Sequence, residues 1–135
     1  VLILIDIQRD YFPDGNLPLV GADAAADRAA TLLGHFRDSG LPVIHVRHES
    51  AEADATFLAV DTAGAEFDPR VAPSGGETVI TKRHPNAFLE TDLRAQIDPY
   101  DGAPLVVAGM MTSMCVDATV RAASDLGYSV TVAAD

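Results

Sequence analysis

Three side chains of this sequence could act together in catalysis, and each follows a different apolar run. Asp6 ends the run VLILID, Lys82 ends ETVITK, and Cys115, the only cysteine, follows PLVVAG. Together they offer a proton acceptor, a cation and a thiol nucleophile, which is a combination suited to covalent hydrolysis. Taken singly, each has a simpler interpretation: Asp6 caps a turn or binds Mg²⁺ with Asp10, Lys82 is a solvated charge, and Cys115 is a small core residue. Their combination at three strand ends favours catalysis.

The order of apolar and helical patterns predicts an α/β fold with a parallel sheet. Five segments are predicted to be strands: VLILID, LPVIHVRH, ETVITK, PLVVAG and YSVTVAAD. Helical patterns lie between them in ADAAADRAATLLGHFRDSG, in HPNAFLETDLRAQI and from Cys115 to Gly127. Gly40 and Gly127 are expected to end helices, and Thr91 is expected to cap the short one. We therefore predict a single α/β domain over residues 1–135.

The predicted sheet brings the three candidate residues to one rim. Ligands of open α/β sheets bind beyond the carboxyl ends of the strands, where the strand order reverses. A strand order of 3-2-1-4-5 places Asp6 and Cys115 on either side of that crevice. Neighbouring strands lie about 4.8 Å apart, so Lys82, two strands away from Asp6, must lean inward. A helix that starts at Cys115 is expected to lower the thiol pKa and to offer N–H groups to an oxyanion.

Composition and charge narrow the classes of function. The formal net charge is -11, which disfavours nucleic acid and anionic membrane surfaces as partners. The longest apolar run is far shorter than a membrane span, and no signal-peptide pattern opens the sequence. A single cysteine cannot form an internal disulfide, so we expect a reducing, cytoplasmic setting. The last predicted strand ends on the final residue, and we expect the natural protein to continue at both ends.

Longer stretches around the three candidates resemble the isochorismatase-like cysteine hydrolases, a family that includes nicotinamidases and N-carbamoyl amide hydrolases. These stretches are VLILIDIQRDYF, DTAGAEFDPRVAP, ETVITKRHPNAFLETDL and VVAGMMTSMCVDATVRAASDLGYSVTVAAD, which span nearly the whole chain. The resemblance implies a three-layer α/β/α Rossmann-like fold and a triad of Asp6, Lys82 and Cys115. It further implies that the backbone N–H groups of Met111 and Cys115 bind the oxyanion, and that the Met110–Met111 peptide bond is cis.

The resemblance weakens at the second strand, where nicotinamidases carry an Asp-x-His pair that binds a metal together with a further His. Here the stretch reads HVRHES, with His48 in place of the Asp and Ser50 in place of the first His. We therefore predict no metal and no cofactor, and nicotinamide is not the expected substrate. His45 and His48 alternate in direction on a strand, so we expect a buried His45 and a rim His48. No motif supports His35 or His84 as ligands.

The resemblance implies hydrolysis of an amide or carbamoyl C–N bond in a small molecule, through a thioester on Cys115. The predicted substrate-binding residues are Gln8, Phe12, His48, Phe88, Met110 and Met114. Three alternatives stay open: vinyl ether hydrolysis of the isochorismatase type, a non-catalytic α/β binding module, and Mg²⁺-dependent phosphoryl transfer through Asp6. Val130 and Val132 on the last strand lack a covering helix in this sequence, which, together with the resemblance, predicts a homo-oligomer.

Overall fold

Five strands form one parallel sheet in the computed structural model, which describes residues 1–52 and 54–134. The strands are β1 (Leu2–Ile5), β2 (Val43–His48), β3 (Thr78–Lys82), β4 (Leu105–Gly109) and β5 (Val130–Val132). The α-helices of the described residues are α1 (Ala22–Asp38), α2 (Leu93–Ile97) and α3 (Asp117–Asp125). The strand order is β3-β2-β1-β4-β5, as predicted, and every neighbouring pair is parallel.

Three predicted boundaries of helices and strands differ from those in the structure. Cys115 does not begin the last helix, because Thr112–Val116 form a π-helical turn and α3 starts only at Asp117. Asp92, next to the predicted cap Thr91, occupies the N-cap of α2, although the Thr91 hydroxyl accepts a hydrogen bond from the Leu93 N–H at 3.2 Å. The fifth strand ends at Val132, and the end of its predicted range, Asp135, lies outside the described residues.

The sheet has an apolar layer on each face, which explains the uninterrupted apolar run of β1. Ile3 and Ile5 pack into a core cluster with α2 and α3, whereas Leu2 and Leu4 pack into a second cluster with α1. A strand covered on both faces needs apolar residues at every position. The three-layer α/β/α arrangement expected from the sequence is therefore the observed one.

Asp6 breaks the alternation of β1 immediately after the strand. Simple alternation would place its side chain with Leu2 and Leu4 on the α1 side. The backbone of Asp6 instead has a φ of 51°, in the left-handed region that non-glycine residues rarely adopt. Its carboxylate meets Lys82, which extends from the same side of β3 as the core residue Ile80. The local backbone therefore directs the carboxylate towards the side of the sheet where Cys115 packs.

The long connection between β2 and β3 contains short structure of its own. It includes the 3-10 turns Ala63–Ala65 and Pro69–Val71. The carboxylate of Asp10, only 2% exposed, accepts hydrogen bonds from the Leu58 N–H at 2.6 Å and the Asn16 N–H at 3.1 Å. Because these backbone donors bind both of its oxygens, Asp10 links the loop that contains Asn16 to the loop that contains Leu58. This arrangement disfavours the alternative in which Asp10 shares Mg²⁺ with Asp6.

The sheet surface beside α1 is open next to β5. Val132 is 42% exposed, as its uncovered position in the sequence suggested. Ala133 and Ala134 join Arg28 and Leu32 of α1 around a cavity of about 630 Å³. Among the described helices, none combines the length and the hydropathy that a membrane crossing requires.

Gly109 ends β4 where the strand runs against β1. Its φ is 151°, and a Cβ at this position would overlap the carbonyl oxygen of Ile5. The same carbonyl accepts a hydrogen bond from the Met110 N–H at 2.9 Å. The backbone that leads towards Cys115 can approach β1 this closely only because residue 109 has no side chain.

Replacing Gly109 by Ala should therefore destabilise the fold by about 3 kcal/mol or more, because the new methyl group meets rigid backbone. Gly40→Ala is the matched control, since Gly40 also has a positive φ, of 63°, but has no atom near its absent side chain. That control should cost only about 1–2 kcal/mol. Urea unfolding of both variants measures the difference, and equal losses would show that the close approach at Gly109 is unimportant.

Candidate active site

The ammonium group of Lys82 lies at the centre of a buried polar cluster. Its Nζ is 2.7 Å from Oδ2 of Asp6, 3.2 Å from Sγ of Cys115 and 3.0 Å from Nδ1 of His48. The side chains of Lys82 and Asp6 have no exposed surface. An ammonium carries three N–H donors, so each of them has one neighbour. The structure thus brings the three predicted triad residues together and adds His48.

Two features of the sheet place Lys82 there. Lys82 is the last residue of β3, and its register partner on β2 is His48. Partners on adjacent parallel strands project from the same face, so the two side chains lie side by side. The flexible four-carbon stem of lysine then extends past β2 to reach Asp6 beyond β1. The predicted inward lean of Lys82 is confirmed.

Asp6 is a buried carboxylate held mainly by charge. Among the described residues, neither of its oxygens receives a well-directed hydrogen bond, so the 2.7 Å contact with Lys82 is best described as an ion pair. Burial raises the pKa of Asp6 to about 6, against the opposing attraction of Lys82. Asp6 is therefore largely ionised at neutral pH and still basic enough to accept a proton.

Cys115 departs from the expectation for its thiol. Burial, followed by the negative charge of Asp6, raises the pKa of Cys115 to about 11, although Lys82 acts in the opposite direction. The prediction of a lowered pKa was wrong because Cys115 is only 6% exposed and lies in a turn before α3. The resting site therefore combines a neutral thiol, a carboxylate and an ammonium.

The turn before Cys115 has the backbone geometry that the resemblance implied. The Met110–Met111 peptide bond is cis. Within the described part of the chain, the Met111 N–H donates no hydrogen bond, whereas the Met111 carbonyl accepts from the N–H groups of Met114 at 3.1 Å and Val116 at 3.3 Å. A backbone donor four residues before Cys115 is thus without an acceptor among the described residues. The oxyanion role of Met111 and Cys115 stays a prediction.

Gln8 forms hydrogen bonds to the protein backbone instead of the substrate contact predicted for it. Its amide Nε2 donates to the carbonyls of His48 at 2.9 Å and Ala65 at 2.7 Å, and its Oε1 accepts from the His48 N–H at 2.8 Å. The residue is fully buried. Both amide hydrogens are therefore used, and Gln8 fixes the backbone of His48 instead of facing a substrate.

The two aromatic residues predicted to contact the substrate pack on opposite sides of the sheet. Phe12 belongs to the core cluster on the α1 side, and its ring centroid is 5.0 Å from the Arg70 guanidinium. Phe88 stacks on Tyr128, which lies just before β5, with ring centroids 6.0 Å apart. Phe12 therefore packs in the core on the α1 side, whereas Phe88 packs against the core cluster that includes Cys115. The substrate contact of Phe12 needs correction, and that of Phe88 stays a prediction.

The remaining predicted pocket residues differ in exposure. Met110 is 4% exposed and borders the 630 Å³ cavity beside α1, together with Gly109 and Thr112. None of Asp6, Lys82, Cys115 and His48 contributes to the walls of that cavity. The cavity is therefore not the chemical site, despite its size. Met114, the residue before Cys115, is 49% exposed and His48 is half-buried, so both side chains reach solvent.

The histidines follow the predicted division. His45 is fully buried and its Nε2 lies 2.8 Å from Glu77, whereas His48 lies at the rim. One ligand atom each of Asp6, His48 and Cys115 falls within a 4.8 Å cluster, a spacing that could hold a metal ion. The Lys82 ammonium, however, contacts all three of them. A metal would have to displace this cation, so these residues do not fit a metal site.

Comparisons with known proteins show which family the chain resembles. The family model for the isochorismatase domain matches residues 1–135. An uncharacterized isochorismatase family protein, YddQ of Bacillus subtilis, is 46% identical over 99% of this chain and 74% of its own length. The crystal structure of an isochorismatase-type hydrolase from Oleispira antarctica has a TM-score of 0.92 and 48% identity over 98% of this chain and 71% of its own. Maleamate amidohydrolase of Pseudomonas putida is 32% identical over 97% of this chain and 68% of its own length.

The Asp6→Asn substitution should have opposite effects on the reactivity of the Cys115 thiol and on the rate of hydrolysis. Removing the negative charge beside Sγ should lower the pKa of Cys115, so that iodoacetamide alkylates it faster at about pH 8 than in the wild type. Hydrolysis should fall at the same time by several orders of magnitude, because an amide cannot accept the thiol proton. Alkylation rates across pH and steady-state turnover measure the two effects.

Asp117→Asn is the control for this experiment. Asp117 is a half-exposed carboxylate two residues from Cys115, where it pairs with Arg121. Its removal should leave the alkylation profile and the turnover nearly unchanged. If Asp6→Asn behaved like this control, Asp6 would not be the proton acceptor.

Chelators should leave hydrolysis unchanged, because the Lys82 ammonium already neutralises the groups that would otherwise bind a cation. The test is prolonged dialysis against EDTA, followed by metal analysis and an activity assay with and without added Zn²⁺. Activity that disappears with a stoichiometric metal and returns with Zn²⁺ would contradict the assignment of Lys82 as the resident cation.

Proposed function

The chain belongs to the isochorismatase family of hydrolases, and from that premise we propose that it cleaves the C–N bond of a small amide or carbamoyl compound through a thioester on Cys115. The observation that carries the proposal is the position of the Lys82 ammonium, 2.7 Å from Asp6 and 3.2 Å from Cys115. A family member that acts on an ether has no need of a thiol. Maleamate amidohydrolase, a relative with 32% identity, is an amide hydrolase by name.

The first half of the reaction forms the thioester. Asp6 accepts the proton of Cys115, and the thiolate attacks the carbonyl carbon of the substrate. The carbonyl π electrons move onto oxygen, and the N–H groups of Met111 and Cys115 stabilise the resulting oxyanion. When the intermediate collapses, the C–N bond breaks, and the leaving nitrogen takes the proton back from Asp6. Ammonia or an amine departs, and the acyl group remains on Sγ.

The second half regenerates the thiol. A water molecule loses a proton to Asp6 and attacks the thioester carbonyl carbon. The C–S bond of the second tetrahedral intermediate breaks, and the Cys115 thiolate recovers its proton from Asp6. The product is the corresponding carboxylic or carbamic acid, and the sequence needs no oxidant, reductant or cofactor.

Lys82 lowers the cost of moving the proton between Asp6 and Cys115. Before the transfer the negative charge lies on the carboxylate, and afterwards it lies on sulfur. The ammonium contacts both atoms, so it balances the charge in either state without moving. This arrangement accounts for a catalytic thiol whose resting pKa is raised to about 11, because the thiolate is needed only in the presence of substrate.

The test is an ammonia-release screen over small amides and carbamoyl compounds, with Cys115→Ala as the matched variant. Wild type should turn over at least one compound, and the variant should lose at least about 10³-fold in rate while unfolding like wild type. Near-normal hydrolysis by Cys115→Ala would remove the nucleophile from the account. Cleavage of a vinyl ether with no amide turned over would point to the ether reaction instead, and inactivity towards both would favour a binding module.

A further inference from the structure

His48 makes a contact with Lys82 that determines where its own proton lies. Its Nδ1 is 3.0 Å from the Lys82 Nζ. A lysine ammonium has three donors and no acceptor, so the imidazole nitrogen that faces it must present a lone pair. The proton of the neutral ring is therefore on Nε2. This assignment follows from the contact geometry and from the ion pair that Lys82 makes with Asp6.

The backbone of His48 is held on both sides. Its N–H donates to Oε1 of Gln8 at 2.8 Å, and its carbonyl accepts from Nε2 of Gln8 at 2.9 Å. His48 is also the register partner of Lys82 at the ends of β2 and β3. With the main chain and Nδ1 both fixed, the direction of the Nε2–H bond is fixed as well.

The Nε2 atom, in contrast, has no partner in the described part of the chain. It makes no hydrogen bond there, and it is not among the buried polar atoms that lack one, so it reaches solvent. Among the described residues, the charged and titratable neighbours of the ring include Lys82, His84, Asp6 and Cys115. Burial, followed by the charges of Lys82 and His84, lowers the pKa of His48 to about 4. The ring is therefore a neutral donor at physiological pH.

We infer that His48 offers its Nε2–H to the substrate as a fixed hydrogen-bond donor, and that Lys82 sets the tautomer that makes this possible. A neutral N–H recognises an oxygen acceptor. The expected substrate class is therefore an amide or carbamoyl compound with a carbonyl or carboxylate oxygen next to the scissile group. The substrate part of this inference rests on the proposed function, whereas the tautomer does not.

The tautomer is tested without any substrate. Long-range ¹H–¹⁵N correlation spectra of the wild-type protein distinguish the protonated from the unprotonated imidazole nitrogen, and the signals that disappear in His48→Asn identify this ring. We expect a neutral His48 with its proton on Nε2 at about pH 7. A proton on Nδ1, or a positively charged ring at that pH, would overturn the inference.

The donor role is tested with two variants, each of which keeps the hydrogen-bonding function of one of the two imidazole nitrogens. In His48→Asn the amide oxygen can stay near the Nδ1 position and accept from Lys82, but no donor remains at Nε2. In His48→Gln the longer side chain can place an amide N–H near Nε2 and loses the contact with Lys82. Both variants are compared with wild type on the fastest substrate of the amide panel and on its analogue without the neighbouring oxygen.

We expect His48→Asn to lose about tenfold in kcat/KM on the substrate, mainly through KM, and almost nothing on the analogue. His48→Gln should retain most of the preference for the neighbouring oxygen. Alkylation of Cys115 by iodoacetamide should be unchanged in His48→Asn, which shows that the thiol environment is intact.

Full preference in His48→Asn, or the same loss on both compounds, would overturn the donor role. If wild type hydrolyses no panel member, the proposed function fails and the donor role falls with it, while the spectra still decide the tautomer.

Discussion

A buried cation is the constraint on which the rest of this structure depends. The Lys82 side chain has no exposed surface, and a charge removed from water is costly unless other groups replace the lost hydration. Asp6 supplies the opposite charge, while Cys115 and His48 supply the two remaining acceptors. The same contacts that make Lys82 tolerable in the interior also connect the proposed proton acceptor, Asp6, to the proposed nucleophile, Cys115. The contacts that stabilise the buried cluster are therefore the same contacts that the proposed chemistry uses.

Much of this arrangement could be predicted from the sequence. Apolar runs alternating with helical patterns predicted the parallel sheet, although they do not by themselves specify its strand order, and ligand sites of such sheets lie at the carboxyl ends of the strands. Asp6 and Lys82 stand at strand ends, and Cys115 follows one closely, so their convergence required no knowledge of side-chain packing. Strand alternation likewise separated the buried His45 from His48 at the rim. His48 and Lys82 both end neighbouring strands, which was the signal for their contact.

Other features depend on packing that a sequence pattern does not describe. The left-handed backbone conformation of Asp6 turns its carboxylate towards Lys82. No pattern in the residues around Asp6 predicts that conformation. Burial reversed the expected direction of the Cys115 pKa, because the placement of a thiol near a helix says nothing about how much solvent reaches it. Gln8 and Phe12 were predicted to contact the substrate. Gln8 instead holds the backbone of His48, and Phe12 packs in the core beside α1.

In the proposed reaction, covalent catalysis depends on a thiol that is neutral at rest and becomes a nucleophile only with substrate present. The most direct test is rapid-quench mass spectrometry during the first turnover of an amide or of the matching ester, with peptide mapping of any adduct. We expect an acyl group on Cys115 that appears before the acid product and then disappears at the rate of turnover. Product formation with no adduct on Cys115 at any time, or an adduct that never hydrolyses, would contradict it.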